Sequence, residues 1–311
     1  MGEAGVTVII PCHNAADTIG LQLEALARQV DVPDYEVVVV DNNSSDDLGP
    51  VIDHWTPRLP SLRVVPAREH QGVSYARNVG IREARFDHIA ICDADDVVSQ
   101  YWLRDLWRCL ADHDVVSGSA ADMSAEVFTT VDEVWQRIDG QGTNYVAPPP
   151  PTANEVYPVM MGGNCAMLTA VARDLRGFDQ SYRRGSDDGD FAMRLNEAGI
   201  AIAHSPVARI AYRDRATPAQ TLRMGYHRGF MHTRQCARFG AWSRSPHLRG
   251  AWPLNPVRSL VAGVLMLLGA KARDWNAVAS RLGTSSGLLV GWVQHRLLGR
   301  VPARQLGVGL D

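Results

Sequence analysis

Lysine is almost absent from this chain: Lys271 is the only one in 311 residues, so its basic chemistry is arginine chemistry. Cysteine is sparse too. The five, Cys12, Cys92, Cys109, Cys165 and Cys236, are odd in number, scattered and without a CxxC pair, which excludes a disulfide framework and a zinc site of the finger type. A reducing, cytoplasmic setting is expected. The apolar run from Leu260 to Ala270 has eleven residues, short of the roughly 20 that cross a bilayer. At the N-terminus, the apolar stretch from Val6 to Pro11 has no basic flank and soon meets His13 and Asn14, so it reads as a strand and not as a targeting signal. No GxGxxG follows that strand and no GxxxxGK[ST] occurs, which counts against a dinucleotide-dependent dehydrogenase and a P-loop enzyme.

Acidic residues are missing from one region. After His204 the chain carries 16 Lys and Arg against Asp214, Asp274 and Asp311, a net +13, whereas the residues before it carry −16; the overall −3 hides the asymmetry. Such a basic third points to a polyanion, an anionic membrane surface in preference to nucleic acid, with a solvated basic helix as the plain alternative.

What is present is ordinary globular material, 46% hydrophobic and 21% charged. Val6-Thr-Val-Ile-Ile-Pro11 and Tyr35-Glu-Val-Val-Val-Val-Asp41 are β-branched runs. Ile19, Leu23, Leu26 and Val30 recur between them at helical spacing, giving a βαβ unit. Residues 62–65 offer a short strand, 73–85 a helix, 88–92 a buried strand and 101–110 a helix. The alternation predicts an α/β fold, a largely parallel sheet covered by helices on both faces. Residues 1–215 are expected to form this catalytic domain and residues 216–311 a helical basic extension. Between 117 and 157 the pattern weakens and ends in Pro148-Pro149-Pro150-Pro151, a stiff segment expected to border an acceptor.

Ligands of such sheets bind beyond the carboxyl ends of the strands. Cys12-His13-Asn14, Asp41-Asn42-Asn43-Ser44 and Asp93-Ala94-Asp95-Asp96 would converge there. Three clustered carboxylates repel one another at neutral pH, and a hard cation, Mg²⁺ or Mn²⁺, would relieve the repulsion while leaving positions for a diphosphate. An Asp-rich turn capping a helix that begins near Ser99 is the structural alternative.

Taken in order, the motifs resemble those of the family 2 glycosyltransferases of the GT-A fold over roughly residues 5–215. Val-Thr-Val-Ile-Ile-Pro-Cys-His-Asn is similar to the family's opening strand and Val-Val-Val-Val-Asp-Asn-Asn-Ser-Ser-Asp to its second nucleotide loop. Gly72-Val-Ser-Tyr-Ala-Arg77-Asn78-Val-Gly80 is similar to its GxxxARNxG helix start, and Asp93-Ala-Asp95 to its metal motif. Gly177-Phe-Asp-Gln with Asp187-Asp188-Gly-Asp190 is similar to its acceptor-side motif.

The resemblance implies an inverting, metal-dependent transfer from a nucleotide-sugar donor to a hydroxyl of a saccharide or lipid-linked acceptor. Asp188 matches the family's general base, a task that needs position more than strength because a hydroxyl becomes acidic only as the new bond forms. Asp95 is the first choice for metal ligand, and Asp93 would touch the ribose or the metal's water shell. Asp41 would contact the base, with Pro11, His13, Asn14, Asn43, Gly72 and Arg77 around the nucleoside. Gly163, Asn164 and Asp187 fall on the acceptor or diphosphate side, Asp187 standing where many relatives have glutamate. Many relatives also carry a histidine near the last strand of the domain, whereas this chain reads Ala211-Tyr212-Arg213-Asp214. Arg213 is then a candidate diphosphate clamp. Plain alternatives remain: Asp188 as a helix N-terminal acid, Asp41 in an Asx turn, Arg77 as an exposed helix residue and Asp96 as a helix cap, with Asp190 structural. The competing function is a catalytically silent relative acting as a scaffold or partner subunit at a membrane, against which both Asp95 and Asp188 argue.

Thr217-Pro218 opens a predicted helix bearing Arg223, Arg228, Arg234 and Arg238. Its Gln235-Cys-Ala-Arg238-Phe239 resembles the QxxRW motif of processive polysaccharide synthases, with phenylalanine for tryptophan. The Leu260 to Ala270 run, between Arg258 and Lys271, and a second apolar stretch around Trp292 suit docking on anionic lipid, with core packing or a homo-oligomer contact as the alternative.

Overall fold

The β-branched runs form the centre of a sheet in the computed structural model, which describes residues 3–138, 158–182, 185–214, 217–248, 252–268 and 275–311. In chain order the described elements begin with β1 (Glu3–Cys12), α1 (Ile19–Ala27), β2 (Tyr35–Asp41), α2 (Gly49–Trp55), β3 (Leu62–Pro66), α3 (Val73–Glu83), β4 (Phe86–Cys92) and β5 (Val97–Val98). They continue with α4 (Trp102–Leu110), β6 (Val115–Ser124), α5 (Val131–Arg137), β7 (Asn164–Leu168), α6 (Thr169–Asp174), α7 (Asp187–Glu197) and β8 (Ala203–Asp214). Three helices follow: α8 (Pro218–Arg238), α9 (Leu254–Leu268) and α10 (Trp275–Trp292).

The strands lie in the order β3-β2-β1-β4-β7-β6-β8-β5. The first four are mutually parallel, and β8 is parallel to β6, while β7 and β5 run against their neighbours. Parallel strands buried on both faces need side chains that are apolar in both directions, as Val37 to Val40 are. Alternation splits them between two cores. Val8, Ile10, Val37 and Val39 pack with α1, α4 and α5 on one face. Ile9, Val38 and Val40 pack with α3, α6 and α7 on the other.

The reversal at β7 matters for the site. Asn164 at its start pairs with Cys92 at the end of β4, so the turn before it, Gly162-Gly163, sits against the Asp93 loop. Helix α5 and all but the start of strand β6 lie in the region where the sequence pattern weakens. The outer half of β6, Ser119 to Ser124, is built, apart from Met123, of serine, alanine and aspartate, poor strand formers by themselves. It is held by its pairing with Arg209 to Asp214 of β8. The four-proline segment lies outside the described residues.

Helix α8 opens at Thr217-Pro218 as expected, and Thr217 forms a capping box with Gln220 there. Helices α8 and α10 approach almost backbone to backbone. A Cβ on Gly229 would meet the Thr284 carbonyl at 2.3 Å and one on Gly287 the Tyr226 carbonyl at 2.0 Å. The chain end does not stay with these helices: Val308 and Leu310 pack into the sheet core, and Asn78 Nδ2 donates to the Val308 carbonyl. No described helix is long and apolar enough to cross a membrane.

Candidate active site

A cavity of about 910 Å³ opens at the carboxyl ends of β1, β2 and β4. Pro11, Cys12, His13 and Asn14 form one wall, Asn42, Gln71 and Gly72 another, and Asp93, Ala94, Asp95 and Arg213 the far side. Asn42 builds the corner. Buried at the end of β2, it donates through Nδ2 to the carbonyls of Ala67 and His70 and accepts the Gly72 N–H at 2.7 Å, fastening the start of α3 to the sheet. Its carbonyl holds His13 Nδ1 at 2.9 Å, and His13 Nε2 meets Gln71 Nε2 at 3.2 Å. Asp41 accepts the Ser44 N–H in the expected Asx turn, and Asn14, in left-handed conformation, accepts the Ser45 N–H. Gly72 has φ of 141°, a conformation that favours glycine at this entrance to the helix.

Opposite lies the acidic loop. Asp93 and Asp95 are half-buried beside the cavity, and Asp96 is turned inward. Asp96 accepts the backbone N–H of Arg213 at 3.0 Å, and burial, then the nearby Asp93, pushes its pKa up to about 7. It therefore ties the loop to β8 and does not cap α4, whose start has no side-chain cap. Arg213 Nε donates to the Asp95 carbonyl at 2.8 Å while its guanidinium lies 3.8 Å above the Phe128 ring. A cation is thus fixed at the rim of the cavity on a ring and a carbonyl, with its bidentate edge directed by both. Among the described residues, no cluster of three His, Cys, Asp or Glu could hold a metal by itself.

Asp188 sits across the Gly162-Gly163 turn. Its Oδ2 accepts the Gly162 N–H at 3.2 Å and its Oδ1 the Gly189 N–H at 2.7 Å. A Cβ on Gly163 would strike Asp93 Oδ2 at 2.3 Å, so glycine here leaves the Asp93 carboxylate room to lie against the turn. Arg77 spans the same gap from below. Buried, it donates to Asp187 Oδ2 at 2.9 Å and lies 3.5 Å from Asp93 Oδ1. Burial disfavours its charge, but Asp187, Asp93 and Asp188 together hold its pKa above the ordinary arginine value. Asp187 also accepts from Ser74 Oγ. The Asp188 carboxyl is raised above the usual carboxylate range by burial first and by Asp187 second, against the pull of Arg77.

The start of α7 is braced from outside the sheet domain. Gln235 Nε2 of α8 donates to the Ser186 carbonyl at 2.8 Å, and Arg238 Nη1 meets Asp179 Oδ2 at 2.6 Å and Asp190 Oδ1 at 3.6 Å. Arg234 donates to the Ser181 carbonyl and lies over Tyr182. The QxxR pair of α8 is therefore part of the scaffold under Asp188.

The sequence profile of glycosyl transferase family 2 matches residues 7–167, just over half the chain. The chain belongs to this family. Chondroitin synthase of Escherichia coli is 27% identical over 114 residues, 36% of this chain and 16% of that protein, so the match spans a minor part of the curated relative. A mannosyltransferase from Pyrobaculum calidifontis, PcManGT, solved with GDP-Man and Mn²⁺, superposes with a TM-score of 0.65 at 22% identity, covering 96% of this chain and 88% of that one. S. aureus TarS with UDP gives 0.53 at 19%, covering 95% and 92%. The fold is thus the GT-A type expected.

Pro11, His13, Asn14, Gly72, Asp93, Asp95 and Arg213 meet at one cavity. Asp41 and Asn43 lie in the adjoining β2 loop, outside its lining. Arg77 does not line it either and is not exposed; it is the buried strut between the two acidic centres. Asn164 is no acceptor contact. It is fully buried, accepts from Trp102 Nε1 and donates to the carbonyls of Ser119 and Ala208, joining β7, β6 and β8. Sequence reasoning missed Asn42 and Gln71 as builders of the cavity. The signal was adjacency, since each neighbours a motif residue, Asp41 and Gly72 respectively. Arg234 and Arg238 also depart from the expected outward basic face, because they are buried against acids and Tyr182.

Proposed function

We propose that this family 2 member is an inverting glycosyltransferase that moves a sugar from a nucleotide-sugar donor to a hydroxyl of a saccharide or lipid-linked acceptor, working in the cytoplasm. The observation that carries the reading is the Gly162-Gly163 turn: the metal motif lies on one side of it and Asp188 on the other, joined by Arg77. Donor and acceptor chemistry can meet across such a turn, where positioning supplies much of the rate.

The nucleoside would lie between the His13-Asn14 wall and Asp41, with Asn43 and Gly72 near it. The diphosphate would reach Asp93, Asp95 and Arg213. Two carboxylates in an all-oxygen setting fit Mg²⁺ or Mn²⁺, which would complete its coordination with donor phosphate oxygens. When bound, that ion neutralises charge on the leaving diphosphate. Arg213 stabilises the same charge by bidentate hydrogen bonds. Asp188 takes the acceptor proton, and burial with Asp187 beside it raises its pKa and so its strength as a base. Asp187 acts through Arg77, fixing the strut, and Gly163 leaves room beside Asp93. The nucleotide complexes of the structural neighbours, GDP-Man with Mn²⁺ and UDP, support the donor class. Residues 1–215 would form the catalytic unit, with the last residues of the chain returning to it, and residues 216–311 the helical extension.

The test is slow donor hydrolysis and binding across a panel of nucleotide sugars, with and without Mn²⁺ or Mg²⁺. Metal-stimulated hydrolysis of one donor is expected. Binding of no donor by the folded protein would overturn the assignment in favour of a silent scaffold.

A further inference from the structure

Helix α9 is inside out. Leu254, Val257, Val261, Val264 and Leu265 recur at the spacing of one helical face, and that face is the exposed one, with Val261 54% and Leu265 62% accessible. The opposite side rests on α10, where a Cβ on Gly263 would meet Leu282 at 2.6 Å. Exposed tryptophans stand at both ends of this unit, Trp252 just before α9 and Trp275 at the start of α10, 63% and 55% accessible. A water-facing surface does not concentrate aliphatic side chains and tryptophan in this way.

We infer that the outer face of α9 docks on an anionic phospholipid surface. Length rules out spanning: 15 residues rise about 22 Å, against a hydrocarbon thickness of about 30 Å. Charge selects the occupant. Between Pro218 and Leu298 the chain has eleven Lys and Arg and a single acid, Asp274. Arg234 and Arg238 are used internally, but Arg223, Arg228, Arg258, Arg281 and Arg296 are exposed, Arg258 on the flank of the apolar face itself. A partner protein of mixed charge would leave these arginines unmatched, whereas an anionic leaflet answers the apolar strip, the interfacial tryptophans and the cations together. The glycine-packed α8 and α10 pair and the Gln235 and Arg238 contacts to the sheet domain make the docking face continuous with the body that carries Asp188. The inference stands on α9 and its charges and does not depend on the catalytic reading.

The experiment is cosedimentation of the full chain with phosphatidylcholine vesicles with and without phosphatidylglycerol. Binding to the anionic vesicles is expected, weakened by raising NaCl from about 0.05 to about 0.5 M. Val261→Asp with Leu265→Asp should lower it at least about tenfold, and Arg258→Glu with Arg281→Glu should lower it about as much. Circular dichroism and thermal midpoint should be unchanged, because all four side chains are exposed. Absence of binding to anionic vesicles, equal binding to neutral ones, or parent-like binding by the Asp pair would each overturn the inference. So would a dimer in sedimentation that the Asp pair dissociates without vesicle binding by the parent, or preferential competition by RNA.

Discussion

In the sheet domain, the buried arginines answer carboxylates: Arg77 meets Asp187 and Asp93, Arg104 meets Asp105 and Arg194 meets Asp190. In the three C-terminal helices, most of the arginines stand exposed in a stretch with one acid. The two populations have different physics. A buried guanidinium fixes the elements its partners sit on and is costly to orphan, whereas an exposed one contributes little to stability and acts at a distance on charged surfaces. Arg234 and Arg238 mark the boundary, since they belong to α8 by sequence but to the acidic body by contact. Net charge by segment therefore overstates how much of the basic third faces outward.

The largest expected effect lies in the sheet domain. Asp188→Asn should lower transfer by about 10² to 10⁴ in kcat, the range for a lost general base, while nucleotide-sugar affinity stays within about twofold. Parent-like turnover in this variant would remove Asp188 from the chemistry. Next is the boundary. Arg238→Met removes the ion pair of buried Asp179 and leaves Asp190 without its second cation, so urea unfolding should show a loss of about 3–5 kcal/mol. Arg223→Met on the outer surface should stay within about 0.5 kcal/mol. Similar losses for both would erase the distinction between the populations.

Arg213 is a smaller but sharper case, because at the rim of the cavity its guanidinium is held by the Asp95 carbonyl and the Phe128 ring. Arg213→Met should weaken nucleoside diphosphate binding by about tenfold, and titration calorimetry would show the change in diphosphate and not in the free nucleoside. The last prediction concerns pH, where nothing is expected near neutrality. Burial, with His247 second, lowers the His232 pKa from 6.5 to about 3. The unfolded chain therefore binds a proton that the folded one refuses between those values, and stability is fully present above about 6.5 and declines as pH falls toward about 3. His232→Gln should flatten that part of the stability profile.

Much of this was legible before the structure. The βαβ opening, the four parallel strands and the convergence of three polar loops follow from β-branched runs and from the rule that ligands sit at strand carboxyl ends. The outer half of strand β6 was not, because most of its residues are poor strand formers and pairing to β8 holds them. Asn164 and Arg77 were misjudged for one reason: both sit in recognisable motifs, yet their side chains point into the body, and motif position carries no information on direction. The brace from Gln235 and Arg238 was visible as a motif but not as a contact, since nothing in sequence distance relates α8 to the start of α7. The inverted face of α9 was visible as an apolar run; which way it turned depended on α10.

The central claim is that donor binding and acceptor activation are divided across the Gly162-Gly163 turn. The most direct test is titration of a nucleotide sugar into parent, Asp95→Ala and Asp188→Asn protein, with and without Mn²⁺. The account expects metal-enhanced binding in the parent and in Asp188→Asn, and loss of the enhancement in Asp95→Ala. Metal-independent binding in all three, or equal loss of binding in Asp188→Asn, would contradict it.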